Sequence, residues 1–307
     1  MGINLKPDEL IYPYFVIGGS GKEEAIRSFP GVFRFSIDRL IKDIEKLHTI
    51  GIDKILLFGV PERKDASGSH AYKDGNIIAI AVKAIKKEFP DIVVMTDVCL
   101  CAYTTHGHCG ILRGQGWSID NRKTLDALSK IALSHAEAGA DWVAPSAMAK
   151  KQVLAIRNAL DKHGHKKTKV LGYSAKFASN FYGPFRNAAD SSPKFGDRHA
   201  YQLNFADGKA ALEEIKADIK EGADAVMVKP ALSYLDVIKE ARTKFPDATL
   251  AAYNVSGEYA FVKYGARAGL WDEEKMAIEI LTSIKRAGAD LIITYHAKDA
   301  ARWLRKS

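Results

Sequence analysis

Four segments of this chain repeat one phrase: a helix closing on glycine, a single spacer residue, an aspartate, and then an apolar strand. They are Gly51-Ile52-Asp53 before KILLFGV, Gly139-Ala140-Asp141 before WVAPSAM, Gly222-Ala223-Asp224 before AVMVKP and Gly288-Ala289-Asp290 before LIITYH. Glycine suits the left-handed position that ends a helix, so each phrase reads as a helix-to-strand junction. Filling the intervals gives eight short apolar strands, near residues 10–18, 54–60, 92–98, 142–147, 169–175, 225–230, 250–255 and 291–296. Between them lie segments with apolar residues at helical spacing, such as 36–51 and 122–140. Near-continuous apolar strands alternating with helices predict a parallel sheet covered by helices. Eight such units in 307 residues suit a closed (β/α)8 TIM barrel better than an open sheet. The chain is therefore expected to be one catalytic domain spanning 1–307, with residues 1–9 ahead of the first strand. The cluster Gly18-Gly19-Ser20-Gly21 lacks the spacing of a dinucleotide fingerprint.

Several function classes fall away on composition. No apolar run approaches the ~20 residues needed to span a bilayer. Residues 1–9 lack the basic-then-apolar order of a secretory signal, which makes the cytoplasm the expected compartment. The net charge of +8 is spread along helices, as at Lys83, Lys86 and Lys87. No basic run is interleaved with aromatics, so no nucleic-acid partner is expected.

In a barrel of this type the reacting residues sit at the C-terminal ends of strands and in the loops that follow. The three cysteines, Cys99, Cys101 and Cys109, all fall in the loop after the third strand. An odd number cannot pair off within the chain, and without a secretion signal a metal is the better reading. Three thiolates can hold Zn²⁺, and a missing fourth ligand leaves a position open to water or substrate. His106 and His108, in the same loop, could close that position, contact substrate or cap the loop.

Two lysines end strands. Lys176 closes KVLGYSA and Lys229 closes AVMV, just before Pro230. Strict alternation puts Lys176 on the face of Val170, Gly172 and Ser174, and Lys229 on that of Ala225 and Met227. On neighbouring strands about 4.8 Å apart their ammonium groups could approach closely. A lysine beside another cation in an apolar pocket loses its proton and becomes an amine able to attack a ketone. After Lys176 comes a loop of glycines, prolines and arginines, holding Arg186, Arg198 and Gln202, long enough to act as a lid with carboxylate-binding forks.

These residues resemble the porphobilinogen synthases, also called 5-aminolevulinate dehydratases. The resemblance runs from about residue 10 to 304 and rests on the cysteine segment, Tyr173-Ser174-Ala175-Lys176, Phe181-Tyr182-Gly183-Pro184-Phe185-Arg186, Met227-Val228-Lys229-Pro230 and Val255-Ser256-Gly257-Glu258-Tyr259. It implies a (β/α)8 barrel that condenses two molecules of 5-aminolevulinate to porphobilinogen with loss of two waters. It further implies Schiff bases on Lys229, for the propionate-side substrate, and on Lys176, for the acetate-side substrate. Arg186 and Arg198, with Gln202 nearby, would bind one carboxylate, and Ser256 and Tyr295 the other. Cys99, Cys101 and Cys109 match the zinc-binding branch, with the ion acting as Lewis acid or bearing a hydroxide for proton transfer. Some bacterial relatives hold a regulatory magnesium through a glutamate matching Glu214, and self-association into a homo-oligomer is the family habit.

The chain departs from the family pattern in three places. Ala149-Lys150-Lys151-Gln152-Val153 stands where relatives read Met-Asp-Gly-x-Val, so Lys150 replaces a carboxylate that Asp97 would have to cover unless the loop turns outward. Asn254 replaces a glutamine. Relatives carry a longer segment before the first strand, so residues 1–9 read as a shortened arm. A Schiff-base aldolase would need only one such lysine, and a non-catalytic zinc- or tetrapyrrole-binding descendant would need neither.

Overall fold

Each aspartate of the repeated phrase has a structural task. In a computed structural model describing residues 4–114 and 118–305, Asp141, Asp224 and Asp290 accept hydrogen bonds through Oδ2 from the backbone N–H of Val94, Val170 and Leu250 at 2.7, 2.8 and 2.8 Å. Each of these N–H groups lies at or near the start of the neighbouring strand. The aspartate's own N–H returns a bond to the carbonyl of the same residue. The phrase thus pins one strand to the next at the N-terminal rim. Asp53 differs: its side chain pairs with His48 and only its carbonyl bonds Val93. All four glycines of the phrase have positive φ, from 79° to 130°, as the helix-ending position requires.

The strands are β1 (Leu10–Ile17), β2 (Glu23–Ala25), β3 (Phe33–Ser36), β4 (Lys54–Val60), β5 (Val93–Val98), β6 (Trp142–Pro145), β7 (Lys169–Lys176), β8 (Ala225–Lys229), β9 (Leu250–Asn254) and β10 (Leu291–Thr294). The main helices are α1 (Ile37–Thr49), α2 (Ile77–Glu88), α3 (Asn121–Glu137), α4 (Gln152–Lys162), α5 (Gly183–Ala188), α6 (Gly208–Lys220), α7 (Leu235–Lys244), α8 (Ser256–Arg267), α9 (Glu273–Ala287) and α10 (Ala297–Leu304). Strands β1 and β4 to β10 pair in parallel and in order, and β10 pairs back to β1, closing the expected (β/α)8 TIM barrel. All eight expected strands are present, within a few residues of their expected ends. The short pair β2 and β3 was not expected. It carries charged residues, lies outside the barrel, and joins through β3 to the upper end of β1.

Alternation along the strands sorts side chains into an inner and an outer core. Ile11, Phe15, Leu56, Phe58, Met95 and Met227 fill the barrel, whereas Val16, Leu57, Val94 and Val226 pack beneath the helices. Of the residues read as an arm, 1–3 lie outside the described residues. Leu5 is buried in the outer core, and Glu9 forms an ion pair with Lys285. No helix among the described residues is long and apolar enough to cross a membrane.

One strand breaks the alternation. Between β7 and β8 the register runs Leu171 to Ala225 and Gly172 to Val226, then resumes at Ala175 to Val228 and Lys176 to Lys229, with a bulge between. Two residues of β7, Tyr173 and Ser174, therefore oppose the single Met227. The expectation that Lys176 shares a face with Val170, Gly172 and Ser174 is wrong. Ser174 faces Asp218 on α6 and Ala175 packs in the outer core, so Lys176 turns inward with Leu171 and Tyr173. Bulges re-aim side chains in this way at barrel rims.

Candidate active site

Lys176 and Lys229 are direct register partners at the C-terminal ends of β7 and β8. They line one small cavity with Phe58, Asp97, Ser146 and Arg198, among others. Both are nearly covered, at 6% and 4% exposure, yet they are held differently. Lys176 Nζ donates to the carbonyl of Ser146 at 2.5 Å. Lys229 Nζ stands over four aromatic rings, those of Tyr253 at 4.1 Å, Tyr173 at 4.9 Å, Phe185 at 5.2 Å and Tyr182 at 5.4 Å. Ring faces attract a cation but replace little of its lost hydration. Burial, and next the neighbouring Lys176, hold the Lys229 ammonium well below the usual lysine range.

Asp97 completes the charge pattern. It points inward from β5, and its Oδ1 has no hydrogen-bond partner. Burial pushes it up to about 6 against the opposing pull of the Ser146 hydroxyl and of both lysines. The Tyr173 hydroxyl is likewise buried without a partner.

The three cysteines converge beside this cavity. Their sulfur atoms lie within 4.8 Å of one another, with Cys99 and Cys101 at 3.5 Å. All three are buried and free of disulfides, and Cys101 lines the lysine cavity. A tetrahedral ion with metal–sulfur bonds of about 2.3 Å sets its sulfurs about 3.8 Å apart, so the trio fits such an ion. Among the described residues it is the only group of three or more His, Cys, Asp or Glu side chains close enough to share a metal. The two histidines are otherwise engaged. His106 Nε2 bonds the carbonyl of Ala66, and its Nδ1 accepts from the His108 N–H. His108 Nε2 bonds the carbonyl of Phe195, and its Nδ1 meets the Tyr201 hydroxyl at 3.1 Å. A carbonyl can only accept, so both rings carry their proton on Nε2 and neither has a nitrogen left for a metal. They cap the loop.

The long segment after β7 folds over the mouth. It contains α5, and its later part is fastened to the cysteine loop by the His108 bonds, by Lys194 N–H to the His106 carbonyl, and by Arg198 to the Gly107 carbonyl at 3.0 Å. Arg198 is 4% exposed and also donates to the Ser191 carbonyl. Arg186 Nε, Arg198 Nε and both amide atoms of Gln202 are buried without partners. Burial and the adjacent Arg198 depress the Arg186 guanidinium. Two neighbouring guanidiniums with unfilled donors and no carboxylate form a site for an anion.

On the far side of the mouth, Tyr295 and Tyr253 join hydroxyls at 3.0 Å. Tyr295 packs against Phe29 at 4.4 Å between ring centres. The Ser256 hydroxyl donates to the Phe181 carbonyl and accepts from the Phe185 N–H, both at 3.1 Å, tying α8 to the covering segment.

Residues 2–303 match the family model described as delta-aminolevulinic acid dehydratase. The delta-aminolevulinic acid dehydratase of Synechocystis is 50% identical over 302 residues, covering 98% of this chain and 92% of the relative. That of Methanothermus sociabilis is 52% identical over 295 residues, covering 96% and 91%. The chain belongs to the delta-aminolevulinic acid dehydratase family. A crystal structure of the Toxoplasma gondii dehydratase, in complex with the reaction product porphobilinogen, superposes with a TM-score of 0.95 at 41% identity, covering 98% of this chain and 86% of that one.

Against the dehydratase pattern, the structure places the departures noted above. Lys150 is exposed and lines an outer cleft with Glu214 and Asp218 of α6 and Glu221 just after it, away from the lysine cavity. Lys150 thus faces outward, and Asp97 is the carboxylate that lines the lysine cavity. Glu214 is exposed at that cleft; partial burial and the nearby Glu221 raise its carboxyl, and the Lys150 charge opposes the shift. Asn254 donates to Glu258 and accepts from Thr294. Sequence reasoning assigned no role to Ser146, to the rings around Lys229, or to Glu258. Tyr253 was the most findable, because alternation from Ala251 points it into the barrel.

Proposed function

We propose that the barrel mouth condenses two molecules of 5-aminolevulinate to porphobilinogen, releasing two waters, with Lys229 and Lys176 each binding one substrate ketone as a Schiff base. One observation carries this reading: the two lysines are paired in register inside a single covered cavity, where burial and the neighbouring Lys176 lower the Lys229 ammonium well below the usual lysine range. A neutral amine adds to a carbonyl carbon. The carbinolamine then loses water once a proton reaches its hydroxyl, and Asp97 is placed to supply or retrieve that proton. The aromatic walls exclude bulk water that would hydrolyse the imine. Arg186, Arg198 and Gln202 receive one carboxylate on donors that have no other partner. Ser256 and Tyr295 serve the other, once the Ser256 hydroxyl exchanges its present backbone partners.

Cys99, Cys101 and Cys109 would hold zinc, which when bound supplies a Lewis acid at the edge of the same cavity. The chain's own groups fix where it sits, since Cys101 alone of the three lines the lysine cavity. An aldolase would leave the second lysine and the thiol trio without a task. Self-association is part of the proposal, and Phe261, Tyr264 and Leu270 offer exposed apolar surface for it.

The test is a colorimetric porphobilinogen assay of metal-replete protein, with borohydride reduction in the presence of 5-aminolevulinate. Product, and a reduced adduct on Lys229 or Lys176, are expected. Absence of both would leave the non-catalytic reading in its place.

A further inference from the structure

Glu258 is 1% exposed, in the first turn of α8. As a helix-capping carboxylate it would need a single bond, from the N–H of Val255, which it makes through Oε2 at 2.7 Å. Its other oxygen reaches a different loop, accepting from the N–H of Leu232 at 2.7 Å, and the Ala231 N–H also bonds the carboxylate. Ala231 and Leu232 lie two and three residues beyond Lys229. Oε2 further accepts from Asn254 Nδ2 at 3.2 Å. Asn254 Oδ1 takes the hydroxyl of Thr294 at 2.8 Å, and Thr294 Oγ1 in turn receives the N–H of His296 at 3.1 Å.

We propose that Glu258 is a positioning residue for the reaction, holding the ends of β8, β9 and β10 in one arrangement so that Lys229, Ser256 and Tyr295 meet the same substrate. The inference rests on the dehydratase reading and deepens it. Its physical basis is that a buried carboxyl with several donors is rigid: its oxygens are held from three segments at once, and moving any one loop leaves a buried acceptor and a backbone N–H unsatisfied. Parallel strands are independent at their C-terminal ends, where the ladder has stopped. Something must set their relative height. At the N-terminal rim Arg242 does so, bonding the carbonyls of Gly288, Pro246 and Ala248 together with Asp290. Glu258 is its counterpart at the reactive rim, with a carboxyl gathering N–H groups where the guanidinium gathers carbonyls. Neither Glu258 nor Thr294 is in the set lining the lysine cavity, so both act through the residues they hold.

The experiment compares Glu258→Gln, Thr294→Val and Arg242→Met with wild type in the metal-loaded full chain. Its readouts are kcat, KM for 5-aminolevulinate, the melting midpoint, and the rate of borohydride-trapped adduct on Lys229. In E258Q one oxygen becomes an NH₂ facing backbone N–H donors, so one loop is released while the helix cap can persist. The kcat and the trapping rate should fall together by about ten- to a hundredfold, the effect of an ångström-scale displacement. T294V, nearly isosteric, should raise KM by about threefold or more with native circular dichroism. R242M should lower the melting midpoint and leave kcat, KM and trapping at wild-type values. Wild-type kinetics in folded E258Q, or in T294V if E258Q does not fold, would overturn the proposal. So would equal kinetic losses in R242M. Trapping with levulinate, a ketone that cannot condense, reads the placement of Lys229 even where no porphobilinogen forms, which separates failure of this proposal from failure of the dehydratase reading.

Discussion

Lys176 faces Lys229 across the β7–β8 ladder only because β7 carries one more residue than β8 just below them. Without the bulge at Tyr173-Ser174, alternation would send the Lys176 side chain beneath the helices, onto the side where Ser174 meets Asp218. Two ammonium groups that share a cavity cannot both stay charged cheaply, and the better buried one yields. Lys229, ringed by aromatic side chains rather than bonded to a carbonyl, is that group.

Replacing Lys229 by methionine should therefore abolish the trapped adduct at that position and lower kcat by about a thousandfold or more, the usual scale for losing a covalent nucleophile. Lys176→Met should lower kcat comparably while leaving an adduct on Lys229. Peptide mapping after borohydride reduction reads both. An adduct on Lys176 alone in wild type, with none on Lys229 in K176M, would reverse the assignment of roles.

Metal content should follow the thiol trio. Wild type should bind one ion per chain, and Cys99→Ser, Cys101→Ser and Cys109→Ser should each weaken binding by about a hundredfold or more, since a hydroxyl is a poor substitute for a thiolate. Histidine-to-alanine changes at His106 or His108 should weaken it far less, because neither ring has a free nitrogen. Elemental analysis after dialysis against a chelator discriminates. Metal loss in H108A equal to that in C109S would show that His108 is a ligand.

His108 should instead govern the covering segment. It supplies two of the bonds that fasten residues 195 and 201 to the cysteine loop. His108→Ala removes about 1–3 kcal/mol of local closure, so tryptic cleavage after Lys194 or Arg198 should accelerate about tenfold or more. Unchanged cleavage in H108A would mean that the Lys194 and Arg198 contacts hold the segment without His108.

Asp218 offers a pH test of stability. Burial chiefly, then the charges of Glu221 and Glu214, push its carboxyl up to about 7 against a bond from Ser174. A carboxyl raised in the folded state binds its proton more tightly there than in the unfolded chain, where the value is about 3.9. Its contribution is therefore unpenalised below about pH 4, becomes steadily unfavourable as pH rises to about 7, and is constant above that. Asp218→Asn should raise the melting midpoint at pH 8, by an amount corresponding to at most about 4 kcal/mol. It should change little at pH 4.5. A gain of equal size at both pH values would show that packing, not ionisation, is responsible.

Much of this was legible in the residues alone. The glycine-spacer-aspartate phrase announces four of the eight junctions, because a helix that ends on a left-handed residue must hand over to a strand at once, and the apolar runs between supply the other strands. The positions of Lys176, Lys229 and the cysteines after strand ends place them at one rim of any such barrel. The pair β2 and β3 was not legible, since EEA is charged and exposed throughout and FRFS is only four residues long, too short for an apolar run to announce it.

The sequence by itself determined the barrel, the rim and the chemical groups, since these follow from local periodicity and residue type. Tertiary structure decided where those groups point. The register slip that turns Lys176 inward, the carbonyls that occupy His106 and His108, and the N–H groups gathered by Glu258 all come from segments distant in the chain. Each depends on a hydrogen-bond partner that exists only once the strands are side by side.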